Sequence, residues 1–202
     1  MTLERKLLIA TTNKKKGGEM AEILKAANLD VDLTSLADYP DAPEVDETGD
    51  TFMANAVLKA DAALELTGLV SIADDGGLCI DALDGQPGVF SHRFLGVDTS
   101  FPEKMRQILE MMKDVPLEKR TCRFQCAVVV AAPDGRRFEC MGICEGHIGY
   151  EMRGDYGFGY DPIFVVSETG KHMAELSPQE KHQISHRGKA LAQAVTVLRT
   201  LF

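Results

Sequence analysis

The apolar positions of this chain fall into two periods. Residues 6–10 are apolar at their centre and predict a first strand. Residues 11–18 are polar and predict a loop. Met20, Ile23 and Leu24 then recur at helical spacing and predict a helix over 19–27, ended by Asn28. Residues 31–36 predict a second strand, and the Pro- and Asp-rich stretch 39–47 predicts a loop. Asp50 or Thr51 can cap a helix that runs to residue 66 and stops before Gly68. Its apolar stripe is Phe52, Ala56, Ala60 and Ala63, with Asn55 and Lys59 one turn apart on a neighbouring face.

Residues 70–73 predict a short buried strand that ends in Asp74-Asp75-Gly76-Gly77, with apolar character resuming over 78–82. Residues 102–112 read as helix. From 120 to 131 the pattern alternates, placing Cys122, Phe124, Cys126, Val128 and Val130 on one face. Pro133-Asp134-Gly135 turns the chain and 136–147 returns, so a long hairpin is expected. Residues 154–161 are a Gly- and aromatic-rich loop and 162–166 a strand. Ser177-Pro178-Gln179-Glu180 has the form of a capping box. A C-terminal helix is expected over 188–201, preceded by Ser185-His186-Arg187. Strands alternating with helices, plus a hairpin, predict a mixed α/β fold.

At 202 residues the chain suits one domain, or one domain with two lobes. No apolar run reaches the roughly 20 residues a membrane span needs. The apolar stretch after the charged N-terminus is too short for a secretory leader, so a cytoplasmic address is expected. The net charge of −9 argues against nucleic acid as a partner. A small anionic ligand stays open, provided cations are gathered locally. The five cysteines predict free thiols. The matched spacing of Cys122/Cys126 and Cys140/Cys144 is read as core packing on a hairpin face rather than as zinc.

Five places carry candidate chemistry. Thr11-Thr12-Asn13-Lys14-Lys15-Lys16-Gly17-Gly18-Glu19 runs from a strand through a polar cationic loop into a helix, where N–H groups and Lys charge suit phosphate oxygens; a solvated Lys run is the plainer account. Asp74 and Asp75 are adjacent carboxylates that repel unless they share a cation, and Mg²⁺ commonly bridges carboxylate to phosphate; the plainer account is an acidic turn. Glu47, grouped with Asn55 and Lys59, offers a second metal ligand and Lys59 a phosphate contact; a helix N-cap region and an exposed Lys explain them as well. Phe158-Gly159-Tyr160-Asp161 places an aromatic between glycines, where a ring can lie against a base and Asp161 can accept from a ring N–H; a tight turn with a core Phe is the plainer account. Lys181 and Ser185-His186-Arg187 supply donors to a planar acceptor. Cations at a helix N-terminus oppose its dipole, a conflict that a bound anion or acceptor would relieve.

Together, in this order, these stretches resemble the inosine triphosphate pyrophosphatase family. The resemblance is carried by Ala10 to Lys16, Glu47-Thr48-Gly49-Asp50-Thr51-Phe52, Ala73-Asp74-Asp75, Pro87-Gly88-Val89-Phe90-Ser91, Phe158 to Pro162 and Ile184-Ser185-His186-Arg187-Gly188. It implies a mixed elongated sheet flanked by helices, a single two-lobed domain over 1–202 with its site in the cleft between the lobes, Mg²⁺ as cofactor and a homodimer. It implies hydrolysis of ITP, dITP and XTP to monophosphate and pyrophosphate. By match, Thr11 to Lys16 and Lys59 bind phosphate, Glu47 and Asp75 hold the metal with Asp74 beside them, and Asp75 accepts the proton. Phe158, Gly159, Tyr160, Asp161, Lys181, His186 and Arg187 hold the base. Two positions depart from the pattern: Gly76 stands where the family has Ser, leaving its backbone N–H as the contact, and His92 replaces a small residue. A pyrophosphatase for modified pyrimidines and a non-catalytic nucleotide sensor are the competing readings.

Overall fold

The computed structural model describes residues 4–40, 42–43 and 45–202. Asp41 and Glu44 of the expected 39–47 loop, and the first three residues of the charged N-terminus, lie outside the described residues.

Six strands and five α-helices are present among the described residues: β1 (Lys6–Ile9), α1 (Lys14–Ala26), β2 (Asp32–Ser35), α2 (Phe52–Thr67), β3 (Val70–Ile80), α3 (Phe101–Met111), β4 (Thr121–Ala131), β5 (Arg137–Ile148), β6 (Phe164–Val166), α4 (Pro178–Ile184) and α5 (His186–Leu201). The strands form one sheet in the order β2-β1-β3-β4-β5-β6. β1 runs parallel to β2 and β3, and β5 antiparallel to β6, which makes the sheet mixed. No helix among the described residues is long and apolar enough to cross a membrane.

The chain divides into two compact units. The first is Met1–Asp75, Cys126–Gly142 and Arg187–Phe202; the second is Gly76–Gln125 and Ile143–His186. Strands β3, β4 and β5 each contribute residues to both. The first unit has its core around Leu7, Ile9, Met20, Leu24, Ile72, Val128 and Leu191, with Cys126 and Cys140 inside it. The second has its core around Leu78, Ile80, Ile108, Phe124, Phe164 and Met173, with Cys122 and Cys144 inside. The four hairpin cysteines are thus buried packing residues, and none of the five cysteines is in a disulfide among the described residues. Burial pushes the Cys126 thiol up to about 12, the behaviour of an inert core group. In the second unit Arg120 is also buried. It donates Nε to Ile148 O at 2.7 Å, Nη2 to Gly149 O at 2.6 Å, and Nη1 to Met112 O, fastening the end of β5.

Helix α2 matches its sequence signals. Thr51 caps it by accepting from Ala54 N, Gly68 closes it in the left-handed conformation, and the Phe52/Ala56/Ala60/Ala63 stripe is buried. Ser177 and Glu180 form the expected capping box of α4.

Three elements differ from the sequence reading. Helix α1 begins at Lys14 and not at 19, because Asn13 Oδ1 accepts from Lys15 N and Lys16 N and starts the helix early. The three lysines therefore form its first turn and are not a loop. The aspartates do not end a strand: β3 continues through Asp74-Asp75-Gly76-Gly77 to Ile80, so there is no acidic turn. Gly77 is needed there, since a Cβ would lie 2.2 Å from Ser91 Oγ and 2.6 Å from Gly88 O. Helix α5 begins at His186, which places Arg187 in its first turn.

Candidate active site

Each unit gathers one group of the sequence-selected residues. In the first unit, β3 presents Asp74 and Asp75 on opposite faces, as consecutive strand residues must be. Asp74 is fully buried. Its Oδ2 accepts from Arg187 Nε and Nη2, both at 2.9 Å, while Arg187 Nη1 donates to Glu19 Oε2 at 2.7 Å. These carboxylates answer the conflict of a cation at a helix N-terminus: the anions come from the protein itself. The fork expected to face a base carbonyl is closed here on Asp74 and Glu19.

Asp75 faces lysines. Lys59 Nζ donates to Asp75 Oδ1 at 3.2 Å and to Glu47 Oε1 at 2.6 Å, and Lys16 Nζ stands 3.8 Å from Asp75 Oδ1. Asn55, wholly buried in α2, donates Nδ2 to Asp75 Oδ2 at 3.3 Å and accepts the Gly49 N–H on Oδ1 at 2.8 Å. It ties Asp75 to the segment that carries Glu47. The sequence groups Asn55 with Glu47 and Lys59 and ends its first candidate stretch at Glu19, but assigns neither Asn55 nor Glu19 a partner.

The two aspartates are pushed apart electrostatically. Burial would raise Asp74, but Lys16, Arg187 and Lys59 together overcome it and hold the carboxyl well below the usual range. Burial raises Asp75, and Glu47 raises it further, so that Lys59 and Lys16 offset the rise only in part. Burial likewise opposes the charge on Lys59. That ammonium contacts Asp75 and Glu47 and is attracted through space by Asp74, and its affinity for the proton is raised. One cation attracted by three carboxylates is well satisfied; Asp75, one of the three, is not.

The lysine stretch divides. Lys16 reaches Asp75, whereas Lys14 and Lys15 are exposed, as is Thr12. Thr11 Oγ1 accepts from Asn13 N at 3.2 Å, and the Asn13 side chain is engaged as the cap. Gly76 follows Asp75 within β3.

A divalent cation fits this donor set. Asp74 Oδ1 is fully buried with no hydrogen-bond partner among the described residues, and Asp75 and Glu47 already converge on one positive group. No three His, Cys, Asp or Glu side chains among the described residues form a complete protein cage. Mg²⁺ does not need one, since it takes one or two carboxylates and completes its shell with water and phosphate.

In the second unit the carboxylate of Asp161 organises the aromatic loop. Its Oδ2 accepts from Phe158 N at 2.9 Å and from Lys181 Nζ at 2.7 Å, and that Nζ lies 4.7 Å from the Phe158 ring centroid. Gly157, at φ 75°, permits the approach; a Cβ there would stand 2.1 Å from Asp161 Oδ2. Gly159 is also left-handed, at φ 67°. Tyr160 turns into the core: its ring meets Phe101 edge-on at 5.2 Å and its hydroxyl donates to Ser91 O at 3.0 Å. Its ring and hydroxyl anchor the loop. His186 is buried and stacks on Phe124 with centroids 4.7 Å apart and planes 10° apart. The sequence gave no signal for that partner.

A cationic helix start beside one ionised and one proton-hungry carboxylate can bind a polyanion and take a proton from water. The comparisons agree with that chemistry. The chain is 45% identical to the dITP/XTP pyrophosphatase of Desulforamulus reducens, over 98% of this chain and 97% of that protein. It is 48% identical to the dITP/XTP pyrophosphatase of Geobacillus kaustophilus, over 94% of this chain and 92% of that protein. Among solved structures, a HAM1 protein from Coxiella burnetii superposes with a TM-score of 0.86 at 40% identity, covering 96% of this chain and 98% of that one. The Ham1 protein of Staphylococcus aureus gives 0.86 at 34% identity, with the same coverage. The sequence model of the Ham1 family matches residues 7–197, and the chain belongs to that family.

Proposed function

We propose that this chain hydrolyses non-standard purine nucleoside triphosphates, dITP, ITP and XTP, to the monophosphate and pyrophosphate, with Mg²⁺ as cofactor. The observation that carries the chemistry is the division of labour between adjacent aspartates: Asp74 is locked as an anion by Arg187, while Asp75 has a raised affinity for protons. Carboxylates whose environments separate them in this way are suited to different roles. The names of the relatives at 45% and 48% identity support the substrate class.

Lys16 and Lys59 meet the phosphate oxygens, together with the backbone of the α1 start from Thr11 to Lys15. Glu47 and Asp75 would hold the Mg²⁺, and the buried negative charge of Asp74 on the other face of β3 would add to the field that attracts it. The bound ion supplies Lewis-acid stabilisation of the charge that develops on the leaving pyrophosphate. Asp75 takes the proton of the attacking water. The water oxygen forms a bond to phosphorus, the anhydride link between the α- and β-phosphates breaks, and pyrophosphate leaves with that electron pair.

The base is read in the second unit. Phe158 offers a ring face, and the Lys181–Asp161 pair fixes the loop that carries it. A His186 N–H donates to a 6-oxo group, which hypoxanthine and xanthine possess and adenine lacks. Arg187, assigned by resemblance to the base, instead acts in this reading as the residue that holds Asp74. The same reading takes residues 1–202 as one catalytic domain, working in the cytoplasm as a homodimer. A panel of dITP, XTP, dATP, dUTP and dTTP with Mg²⁺, followed by pyrophosphate release, tests the substrate class. Fast release from dITP and XTP supports it, and preferential release from dUTP or dTTP moves the chain to the pyrimidine-specific reading.

A further inference from the structure

Lys59 stands where a metal ion would be expected. Its Nζ donates to Glu47 Oε1 at 2.6 Å and to Asp75 Oδ1 at 3.2 Å, so one ammonium bridges the two carboxylates assigned to Mg²⁺. Asp75 is not free to retreat from it. Buried Asn55 holds Asp75 through Nδ2 and the Glu47 segment through the Gly49 N–H. The close packing of that segment is evident at Gly49, where a Cβ would lie 2.7 Å from Asn55 Oδ1. The lysine, with its long unbranched stem, is the adjustable part.

The geometry points to Lys59 as the cation that keeps the metal position filled until substrate arrives, so that the divalent ion enters as its triphosphate complex and not as a free ion. This rests on the Mg²⁺-dependent reading of the site. A bare ion must compete with the ammonium for the same oxygen lone pairs, beside the further charges of Lys16 and Arg187. The triphosphate complex removes that competition, because its phosphate oxygens accept the ammonium donors and Lys59 transfers from carboxylate to phosphate. Metal and nucleotide are then coupled, and by linkage each strengthens the other's binding equally. Part of that coupling comes from direct phosphate ligation of the ion and survives in any variant. The part due to Lys59 weakens the binding of metal alone, and its removal should be visible as tighter binding of the bare ion.

Mn²⁺ titration of wild type and of Lys59→Met, each alone and with an α,β-methylene analogue of dITP, measures both parts. Lys59→Met is expected to bind Mn²⁺ alone about tenfold tighter than wild type, within the usual span of coupling factors, and to gain less from the analogue. Equal or weaker Mn²⁺ binding by the variant overturns the proposal. Lys59→Gln replaces it should the Met variant melt before titration. Crystals of wild type soaked in Mn²⁺ without nucleotide give a second readout: an ion between Glu47 and Asp75 with Lys59 still on Glu47 overturns the proposal, and the ammonium retained with no ion supports it. Wild type that fails to hydrolyse dITP defeats the functional reading instead, so the two failures are separable.

Discussion

Arg187 places two donors, Nε and Nη2, on the single Oδ2 oxygen of Asp74, each at 2.9 Å, across 113 residues of sequence. Both groups are buried, and breaking such a pair by neutralising one partner leaves an uncompensated charge. Asp74→Asn is therefore expected to destabilise the protein by about 3–5 kcal/mol. At about 2–4 °C per kcal/mol for a chain of this size, the melting temperature falls by roughly 6–20 °C. Thermal unfolding without nucleotide or metal measures this, and an unchanged midpoint would remove the pair from the account.

The neighbouring substitution has the opposite sign. Asp75 ionises less readily in the fold than in the unfolded chain, first because it is buried and then because Glu47 faces it. A carboxyl whose folded pKa is raised costs stability as it ionises, so its contribution declines as pH rises from the ordinary 3.8 through the raised folded value. Asp75→Asn removes that cost. At neutral pH the variant should melt no lower than wild type, while pyrophosphate release falls by about a thousandfold or more, the scale of a lost general base with its electrostatic contribution. A less stable variant with normal turnover would reverse both assignments.

The same shift predicts a pH profile. The base must be ionised to work, so kcat/KM should rise through an acid limb set by Asp75. Burial raises that carboxyl in the metal-free fold and bound Mg²⁺ favours its ionised form, so that the limb moves down as Mg²⁺ is raised. Asp74 behaves differently, because Lys16, Arg187 and Lys59 hold it ionised against its burial. Its stabilising contribution is present above 3.8 and is lost only as pH falls through its depressed folded value, well below the activity limb. Coincident limbs for activity and acid unfolding would contradict the division of roles.

Asn55 serves two masters, Asp75 and the Gly49 N–H. Asn55→Ala leaves a buried donor and a buried acceptor unmatched, at a cost of about 1–3 kcal/mol for each. Because it also frees the Glu47 segment, a higher Mg²⁺ concentration should be needed for half-maximal rate. Activity assayed across Mg²⁺ concentrations tests this, and an unchanged requirement means that Asn55 only packs.

Phe158 should matter to binding more than to chemistry. Loss of an aromatic platform under a base costs about 1–3 kcal/mol. Phe158→Ala is expected to raise KM for dITP by roughly 5- to 150-fold over that energy range, with kcat little changed. A variant with reduced kcat and normal KM would assign Phe158 to the fold of its loop.

Much of this was legible in the sequence, for identifiable reasons. Helix α2 carries its cap, its stripe and its closing glycine in plain order, so Thr51 to Gly68 read correctly. In β4 the alternation puts Cys122, Phe124, Cys126, Val128 and Val130 on a buried face, and Ala127 and Val129 of the other face are buried as well, which the alternation does not signal. The start of α1 is not legible because three lysines in a first turn contradict the dipole rule, and the carboxylate that faces Lys16, Asp75, comes from elsewhere in the chain. The aspartates were placed at a strand end because charged residues inside a buried strand are costly; Arg187 and Lys59, distant in sequence, supply what makes them tolerable. The roles of Glu19, Asn55 and Phe124 depend on contacts with residues far along the chain, which no local pattern encodes.

The central claim joins a reaction to one carboxylate, and a product assay tests both. With dITP and Mg²⁺, wild type should release one pyrophosphate for each dIMP formed, and Asp75→Asn, folded by its melting curve, should release almost none. Orthophosphate as the product, or a folded Asp75→Asn that matches wild type, would contradict it.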